Sequence, residues 1–359
     1  MKTKNILELC LSPSLGGLEL CVKDSYEYFK LQTTTYICVA PDKPLDKSLD
    51  DNNKFLLKRN KFFPIIPALK LSKFIDEKCI DLVHFHWTRD IATVVLAKVL
   101  SKQKPKLVQS RHMRMTRFKD DFYHKWLYKN LDMMHAVTKD VSQQLKRFIP
   151  EDVRPKIEMV YLGVKEPIIN QNKMKELKQK YHLKNEFVVG IVGRIEEGKG
   201  QHIVIEAISK LKGLDIKVLI VGNAMSDDYL QHIKQVSKDL NVEDKIVFTG
   251  FTKEVPEHIQ LCDIMVLATV EETFGLVVIE AMANKKCILA VNKGGPLEII
   301  KDGIDGILFE REAEALKEYI YNLYHNNILK EHLALKGFEK FKDNFEIDTQ
   351  MKLLYKTII

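Results

Sequence analysis

The sequence predicts an α/β protein made of two parallel-sheet domains. A chain of 359 residues is long enough for two domains of about 100–200 residues each. Apolar, β-branched runs alternate with segments of helical period along the chain, a pattern typical of parallel sheets covered on both faces. A composition of 45% hydrophobic and 29% charged residues excludes a disordered or fibrous protein.

The predicted strands form two series, separated by a polar segment at 165–180 that we expect to be a linker. Helices such as 18–29 and 90–100 lie between most strands of the first series. Because ligands of parallel sheets bind beyond the carboxyl ends of the strands, the loops after strands are expected to carry the chemistry. The strands are expected at residues 6–11, 34–40, 82–86, 106–110, 133–137 and 156–161, and then at 187–192, 217–221, 245–248, 264–268, 287–291 and 306–309.

No segment has the features of a membrane helix or a secretory signal. The most apolar run, 91–100, contains Lys98 and is shorter than the ~20 residues of a membrane span. Glu8 and Glu19 interrupt the N-terminal segment, and no small-residue cleavage site follows it. The six cysteines form no C-x-x-C pair, so we expect small core residues in a reducing compartment, not disulfides or a zinc site. A cytoplasmic protein is therefore expected.

The charge is uneven along the chain. Residues 1–165 contain 30 Lys and Arg against 19 Asp and Glu, and residues 102–129 contain nine basic residues, including Arg111, Arg114 and Arg117, against two acidic ones. Such a segment attracts nucleic acid, anionic lipid or a phosphorylated substrate, unless it is only a solvated helix face. Aromatic residues at near-helical spacing predict an amphipathic helix here, docked in the core or resting on a membrane. They are Phe118, Phe122, Tyr123, Trp126 and Tyr128.

Two loops between a strand and a helix contain glycines suited to phosphate binding. The first, S-P-S-L-G-G at 12–17, lets a ligand approach the backbone at a helix N-terminus, although an ordinary turn would explain it equally well. The second, G-R-I-E-E-G-K-G at 193–200, nearly matches a P-loop. Gly200 replaces the hydroxyl that would bind Mg²⁺, so Arg194 and Lys199 are expected to bind a diphosphate without a metal, unless they are surface cations beside a turn.

A third loop joins an apolar strand to a helix through an acidic turn, E-E-T-F-G at 271–275. The helix N-terminus is a second anion site. Glu272 and Glu280 flank it, and the carboxylates suggest hydrogen bonds to sugar hydroxyls on either side of a diphosphate. The alternative is that Glu272 only interacts favourably with the helix dipole and that Glu280 is a surface residue. The apolar neighbours of Glu280 argue against the second part, since a carboxylate is rarely buried without a partner.

Five segments, in the same order along the chain, resemble retaining glycosyltransferase family four. The most specific is E-T-F-G-L-V-V-I-E-A-M-A at 272–283, with the E-x7-E spacing of that family. The others are G-G-L-E at 16–19, H-x-H at 84–86, GR…KG at 193–200 and GG-x-x-E at 294–298, which is followed by G-x-x-G at 303–306.

The resemblance implies the GT-B fold, in which two Rossmann-like domains face a cleft. Residues 1–165 are implied to form an acceptor-binding domain, completed by a C-terminal helix at 342–359. Residues 166–341 are implied to bind a nucleotide-sugar donor. Two departures from the family pattern stand out: Leu162 and Lys165 replace an Asn and an Asp in the linker, and the turn at 284–287 lacks the usual glycine.

The resemblance also implies roles for individual residues. Arg194 and Lys199 would bind the donor diphosphate. Glu280 would bind the ribose hydroxyls and Glu272 the transferred sugar. Further donor contacts are implied at Gly16, Gly17, Phe251, Thr252, Phe274, Gly275 and Leu276.

His112 lines up with a histidine that the family places against the donor sugar. It follows the strand at 106–110, and an imidazole is able to donate to a sugar hydroxyl and to tolerate charge that develops nearby. A purely structural histidine is the alternative, and His86 competes for the same role. His112, Glu272, Arg194 and Lys199 are the catalytic candidates.

Together these features predict a metal-independent, retaining glycosyltransferase that needs no cofactor. It would transfer a sugar from a nucleotide-diphosphate donor to a glycan or lipid-linked acceptor, in lipopolysaccharide or surface polysaccharide synthesis. It would be cytoplasmic, with residues 102–129 as a candidate contact to an anionic inner membrane surface. No D-x-D occurs, which disfavours the Mg²⁺-dependent transferases that carry it. The alternatives are a P-loop-like NTPase and a basic nucleic-acid-binding protein, although no nucleic-acid partner is expected.

Overall fold

The computed structural model describes residues 4–60 and 63–359. The chain divides into two compact units. One contains the residues up to Leu162 together with Asp348–Ile359, and the other contains Gly163–Ile347. The boundaries expected from the sequence, 165/166 and 341/342, lie within a few residues of these.

The first unit is a seven-stranded parallel sheet between helices, with strand order β3-β2-β1-β4-β5-β6-β7. Its five inner strands are fully or largely buried, as expected for a sheet covered on both faces, whereas its two edge strands are only partly buried. Along the chain the elements are β1 (Ile6–Cys10), α1 (Gly17–Phe29), β2 (Thr35–Val39), α2 (Pro44–Lys47), β3 (Lys54–Leu56), α3 (Ile65–Glu77), β4 (Leu82–Phe85), α4 (Ile91–Leu100), β5 (Lys106–Arg111), α5 (Phe122–Lys129), β6 (Met133–Ala136), α6 (Lys139–Phe148) and β7 (Lys156–Met159).

The second unit is a six-stranded parallel sheet, again with helices on both faces, with strand order β10-β9-β8-β11-β12-β13. Its elements are α7 (Gln171–Lys180), β8 (Phe187–Val192), α8 (Gln201–Ser209), β9 (Ile216–Val221), α9 (Asp227–Asp239), β10 (Ile246–Gly250), α10 (Val255–Gln260), β11 (Ile264–Leu267), α11 (Leu276–Ala283), β12 (Cys287–Val291), α12 (Pro296–Ile299), β13 (Ile307–Phe309), α13 (Ala313–His325) and α14 (Asn327–Asn344).

The last helix, α15 (Ile347–Ile358), returns the chain to the first unit. The rings of Tyr355 and Phe29 lie 5.4 Å apart, and Lys106 Nζ donates to the Ile358 carbonyl oxygen at 2.8 Å. Ile358 itself is fully buried. The C-terminal helix is therefore part of the packing of the N-terminal sheet.

The two-domain α/β prediction and all twelve predicted strands are confirmed, and three local expectations were wrong. Strand β3 was missed, since it has only three residues and is half-buried. The expected linker contains helix α7, which is capped by Asn170 through the Asn172 and Lys173 N–H groups. Among the cysteines, Cys79 is exposed instead of in the core. Within residues 4–60 and 63–359, no helix is both long and apolar enough to cross a membrane.

Candidate functional site

Three loops meet at one edge of the second sheet. They follow β8, β11 and β12, which are neighbours in the sheet, so their carboxyl ends lie side by side. The loops lead into α8, α11 and α12 respectively. This is the edge at which parallel α/β sheets bind ligands, and it contains the loop at 193–200, the acidic turn and the G-G turn predicted from the sequence.

Glycines allow these loops to pack against one another. Gly294 has φ +69°, and a Cβ added there would lie 2.4 Å from the Glu272 carbonyl oxygen. The neighbouring Gly295 N–H donates to that oxygen at 2.8 Å. Gly200 has φ +76°, and a Cβ there would lie 2.3 Å from the Ala268 carbonyl oxygen. A side chain at Gly294 would therefore force the acidic turn away from the G-G turn, and one at Gly200 would force the start of α8 away from the residue that follows β11.

Two of the predicted donor residues form an ion pair. Lys199 Nζ lies 3.2 Å from Glu272 Oε2, and both side chains are about three-quarters buried. Arg194, by contrast, is exposed and pairs at 3.3 Å with Glu196. The structure therefore joins a cation and a carboxylate across the site and leaves a second cation accessible to solvent.

The N-terminus of α11 presents free backbone donors. Gly275, with φ +102°, is its N-cap. Phe274 is buried just before it. In the described part of the chain, no backbone hydrogen bond is formed by the N–H groups of Gly275, Leu276 or Val277. Free N–H groups at the positive end of a helix dipole suit a phosphate or another anion.

Glu280 lies on α11, one turn further along the helix. It is half-buried, and burial raises the pKa of its carboxyl group from 4.5 to about 7. Across residues 4–60 and 63–359, no hydrogen bond or ion pair to its carboxylate is found. An unpaired carboxyl group in a partly apolar setting is suited to hydroxyl groups of a ligand, which would replace the lost hydration.

The other predicted donor contacts follow β10. Phe251 is two-thirds exposed. The Thr252 hydroxyl donates to Glu254 Oε2 at 2.7 Å, so Glu254 already engages that hydroxyl.

In the first unit, the glycine loop starts α1. Gly16 is the N-cap, and its N–H donates to Glu19 Oε2 at 2.8 Å, while Gly17 is the first helical residue. The Gly16 N–H, which the sequence predicted to face a ligand, therefore already donates to the carboxylate of Glu19.

His112 follows β5 directly and is half-buried. Its Nε2 lies 3.0 Å from His86 Nδ1, so the two competing histidines are hydrogen-bonded to each other. His86 Nε2 in turn lies 2.8 Å from Glu8 Oε2. Burial, reinforced by the nearby histidines and Arg111, lowers the pKa of His112 well below its usual value, so its imidazole is neutral at pH 7.

Glu8 was missed by sequence reasoning as a site residue. It lies in the middle of β1 and is fully buried. Burial by itself would raise the pKa of Glu8, but the charge and hydrogen bond of His84 and the contacts to His86 outweigh it and lower the pKa to about 2. The signal was present in the sequence, because a single carboxylate interrupts the apolar strand I-L-E-L-C.

Glu8, His84 and His86 are also the one group of three in the described ranges whose ligand atoms lie close enough, within 4.8 Å, to hold a metal ion. Each carboxylate oxygen, however, is already hydrogen-bonded to a histidine ring, at 2.7 Å and 2.8 Å. The remaining ring nitrogens bond Ser110 and His112. The geometry is that of a closed hydrogen-bond network.

The basic segment 102–129 is only partly a surface. Arg111 was expected there as an accessible cation and is buried, with its guanidinium donating to Thr88 Oγ1 at 2.6 Å and to the Arg114 carbonyl oxygen at 2.9 Å. Helix α5 buries Leu127 and Tyr128 and exposes 87% of Phe122. The predicted amphipathic helix is thus docked in the core on one face and open on the other.

A cavity of about 320 Å³ lies beside this helix, entirely within the first unit. Arg59 and Arg89 line it, and both guanidinium groups lie over the Trp87 ring, at 4.9 Å and 5.6 Å from its centroid. Tyr123 and Pro64 complete two of its walls. The cavity therefore combines two oriented cations with apolar rings.

Two family profiles match successive parts of the chain. "Glycosyltransferase Family 4" matches residues 15–166, and "Glycosyl transferases group 1" matches residues 172–340. The N-acetyl-alpha-D-glucosaminyl L-malate synthase of Bacillus anthracis is 25% identical over 81% of this chain and 78% of its own length. The capsular polysaccharide biosynthesis glycosyltransferase CapM of Staphylococcus aureus is 26% identical over 51% of this chain and 50% of its own.

A solved structure has the same fold over the whole chain. Anabaena HepE, crystallised with UDP and glucose, superposes with a TM-score of 0.86 at 20% sequence identity, covering 99% of both chains.

Proposed function

Since the chain belongs to the group 1, family 4 glycosyltransferases and is a transferase with two Rossmann-like domains, we propose that it transfers a sugar, with retention, from a nucleotide-diphosphate donor to a glycan or glycolipid. The donor binds at the carboxyl edge of the second sheet. The observation that carries the proposal is the free N-terminus of α11 beside the unpaired carboxyl group of Glu280.

The donor's diphosphate lies against the Gly275–Val277 N–H groups and Lys199. Binding breaks or shares the 3.2 Å ion pair between Lys199 and Glu272, which frees Glu272 for the transferred sugar. Arg194 is exposed and reaches the outer phosphate. The carboxyl group of Glu280 accepts from the ribose hydroxyls, which compensates for its burial.

The chemistry follows from where the charge develops. As the sugar–phosphate bond breaks, negative charge grows on the leaving diphosphate, and the Lys199 ammonium group and the helix dipole stabilise it. These groups supply the positive charge that a metal ion provides in other transferases, so the proposed reaction requires no metal and no cofactor. Following the resemblance to the family, we assign His112 to the donor sugar and Gly16 and Gly17 to the diphosphate.

The acceptor is proposed to bind the first unit. The Arg59 and Arg89 guanidinium groups fit an acceptor phosphate, because planar cations bind phosphate oxygens in pairs. The segments 63–66 and 118–123, which contribute Pro64 and Tyr123 to the cavity, also expose large apolar side chains. Exposed apolar groups interspersed with cations suit an anionic membrane surface. These side chains are Phe63, Ile65, Ile66, Phe118, Phe122 and Tyr123. A lipid-linked acceptor at the cytoplasmic face of the inner membrane, in lipopolysaccharide or surface polysaccharide synthesis, fits both features.

The donor half of the proposal is tested by thermal shift with UDP, GDP, ADP, CMP and ATP, each with EDTA or with Mg²⁺. At about 100 times its dissociation constant a nucleotide stabilises the protein by roughly 2.7 kcal/mol. The HepE crystals contain UDP, so UDP is the first candidate. We expect one diphosphate to stabilise the protein in EDTA. A shift seen only with ATP and Mg²⁺ would contradict the proposal and favour an NTPase.

The membrane half is tested by sedimentation with phosphatidylglycerol vesicles. The variant Arg117→Glu/Phe122→Ser should release the protein into the supernatant, since both side chains are exposed on the basic segment. Leu335→Ser is a matched control, because Leu335 is an exposed leucine of the second unit. Equal sedimentation of both variants would refute the assignment of this surface.

A further inference from the structure

A chain of hydrogen bonds runs from the buried centre of the first sheet to His112. It connects Glu8 on β1, His86 just after β4 and His112 just after β5, through contacts of 2.8 Å and 3.0 Å. The His86 and His112 rings are nearly parallel, at 24°, with centroids 5.3 Å apart. A second branch leaves the other oxygen of Glu8 for His84, Ser110 and His135.

The position of each proton in the second branch follows from the end of the branch at Val160. The Val160 carbonyl oxygen only accepts, so His135 donates to it through Nε2 at 2.8 Å. Burial lowers the pKa of His135 to about 3, so its Nδ1 carries no proton and accepts a hydrogen bond from the Ser110 hydroxyl at 2.6 Å. Ser110 Oγ then accepts from His84 Nε2 at 2.7 Å. One further proton must lie in the 2.7 Å contact between His84 Nδ1 and Glu8 Oε1.

Whichever of those two atoms holds that proton, Glu8 Oε2 is left as an acceptor. His86 Nε2 therefore donates to it. Burial and the charge of His84 lower the pKa of His86 to about 4, against the opposing effect of Glu8, so the ring is neutral and has one N–H. Its Nδ1 is then a bare acceptor, and the proton in the contact to His112 belongs to His112 Nε2.

We propose that Glu8 is a positioning residue which, through His86, holds His112 as the neutral Nε2–H tautomer and so leaves its Nδ1 as a hydrogen-bond acceptor for a donor-sugar hydroxyl. Within the described residues, no hydrogen bond to His112 Nδ1 is formed. The role toward the sugar rests on the proposed function, whereas the tautomer follows from the hydrogen bonds alone.

This hydrogen-bond direction is opposite to the one expected from the sequence, in which His112 donates to the sugar. A neutral His112 with its proton on Nε2 accepts a hydrogen bond from a sugar hydroxyl through Nδ1 and contributes no positive charge at the anomeric centre. The charge that develops at the anomeric centre must then be stabilised by other groups. Glu8 is linked to His112 by two hydrogen bonds and acts on it only through His86.

The test is a pair of substitutions with opposite predictions. Glu8→Leu removes the acceptor and leaves the His86 and His112 tautomers undefined. Glu8→Gln keeps them, since its amide donates to His84 Nδ1 and its carbonyl oxygen accepts from His86 Nε2. Long-range ¹H–¹⁵N spectra of protein labelled with ¹⁵N-histidine report the tautomer of each ring, and His112→Gln assigns the signals of His112.

We expect the Nε2–H pattern for His112 in the parent and in Glu8→Gln, and mixed tautomers in Glu8→Leu. kcat/KM should fall about tenfold in Glu8→Leu, the factor that one hydrogen bond supplies, and recover in Glu8→Gln. Ser110→Ala is the matched control, because it breaks the other branch: it should lower the Tm and leave the His112 tautomer unchanged.

An Nδ1–H or doubly protonated His112 in the parent protein at pH 7, or an unchanged His112 spectrum in Glu8→Leu, would overturn the proposal. The proposed function fails in a different way, when His112→Gln leaves kcat/KM unchanged or no nucleotide binds. The spectra need neither activity nor donor, so the two failures are separable.

Discussion

At the scale of single residues, Lys199 has the most demanding role in the donor site. Replacing it by Ala removes the cation beside the leaving diphosphate and leaves Glu272 without its 3.2 Å partner. We expect kcat/KM to fall by about 10²–10³, comparable to the loss of one oxyanion-hole donor. Lys210→Ala is the control, because that lysine forms an ion pair with Glu314 on the surface of the same unit. Steady-state kinetics on both variants check the prediction, and equal activities would remove Lys199 from the mechanism.

Replacing Glu280 by Gln should change the stability of the protein and its affinity for the nucleotide in opposite directions. Its folded pKa of about 7 lies above the ordinary 4.5, so the folded protein retains a proton that the unfolded chain releases, and this group makes stability fall as pH rises from about 4.5 to 7. Glu280→Gln should therefore raise the Tm at pH 8 by roughly 2–4 °C. It should make no difference at pH 4 and should weaken nucleotide binding. Calorimetry at both pH values measures this, and a lower Tm for the variant at pH 8 would show that the carboxylate has a stabilising partner.

At the scale of elements, the G-G turn after β12 shapes the acidic turn. Gly294→Ala places a Cβ 2.4 Å from the Glu272 carbonyl oxygen. The control is Gly303→Ala, because Gly303 has nearly the same φ, +70° against +69°, and open space around it. Both changes carry the backbone cost of a left-handed residue, about 1 kcal/mol. Only Gly294→Ala should also weaken nucleotide binding, because it displaces Glu272. Titration calorimetry on the pair separates displacement from strain, and equal affinities would show that the turn does not set the site.

The elements of this fold differ in how clearly the sequence predicts them. Long apolar strands were located because burial on both faces leaves a continuous apolar run, and the glycine loops were located because close backbone approach admits few other residues. Strand β3 and helix α7 were missed because three half-buried residues and a polar surface helix leave no such pattern. The pairing of Lys199 with Glu272, or of His86 with His112, joins residues far apart in the chain, so only the fold reveals it.

At the scale of the whole molecule, the chain order and the folding units differ, because α15 lies at the end of the sequence and packs in the first unit. Its stability should therefore be coupled to the N-terminal sheet and independent of the nucleotide site. Ile358→Ala removes a fully buried side chain and should destabilise the first unit by about 2–5 kcal/mol. Leu353→Ala, on the same helix but half-exposed, should cost much less.

Calorimetry with and without the nucleotide that stabilises the parent distinguishes the two units. In Ile358→Ala the transition of the first unit should move to lower temperature, while the increase that the nucleotide gives to the other transition stays as in the parent. The donor-binding loops after β8, β11 and β12 all lie in the unit Gly163–Ile347. If Ile358→Ala also abolishes the nucleotide-dependent increase, the two units do not unfold separately, and the donor site depends on the N-terminal sheet.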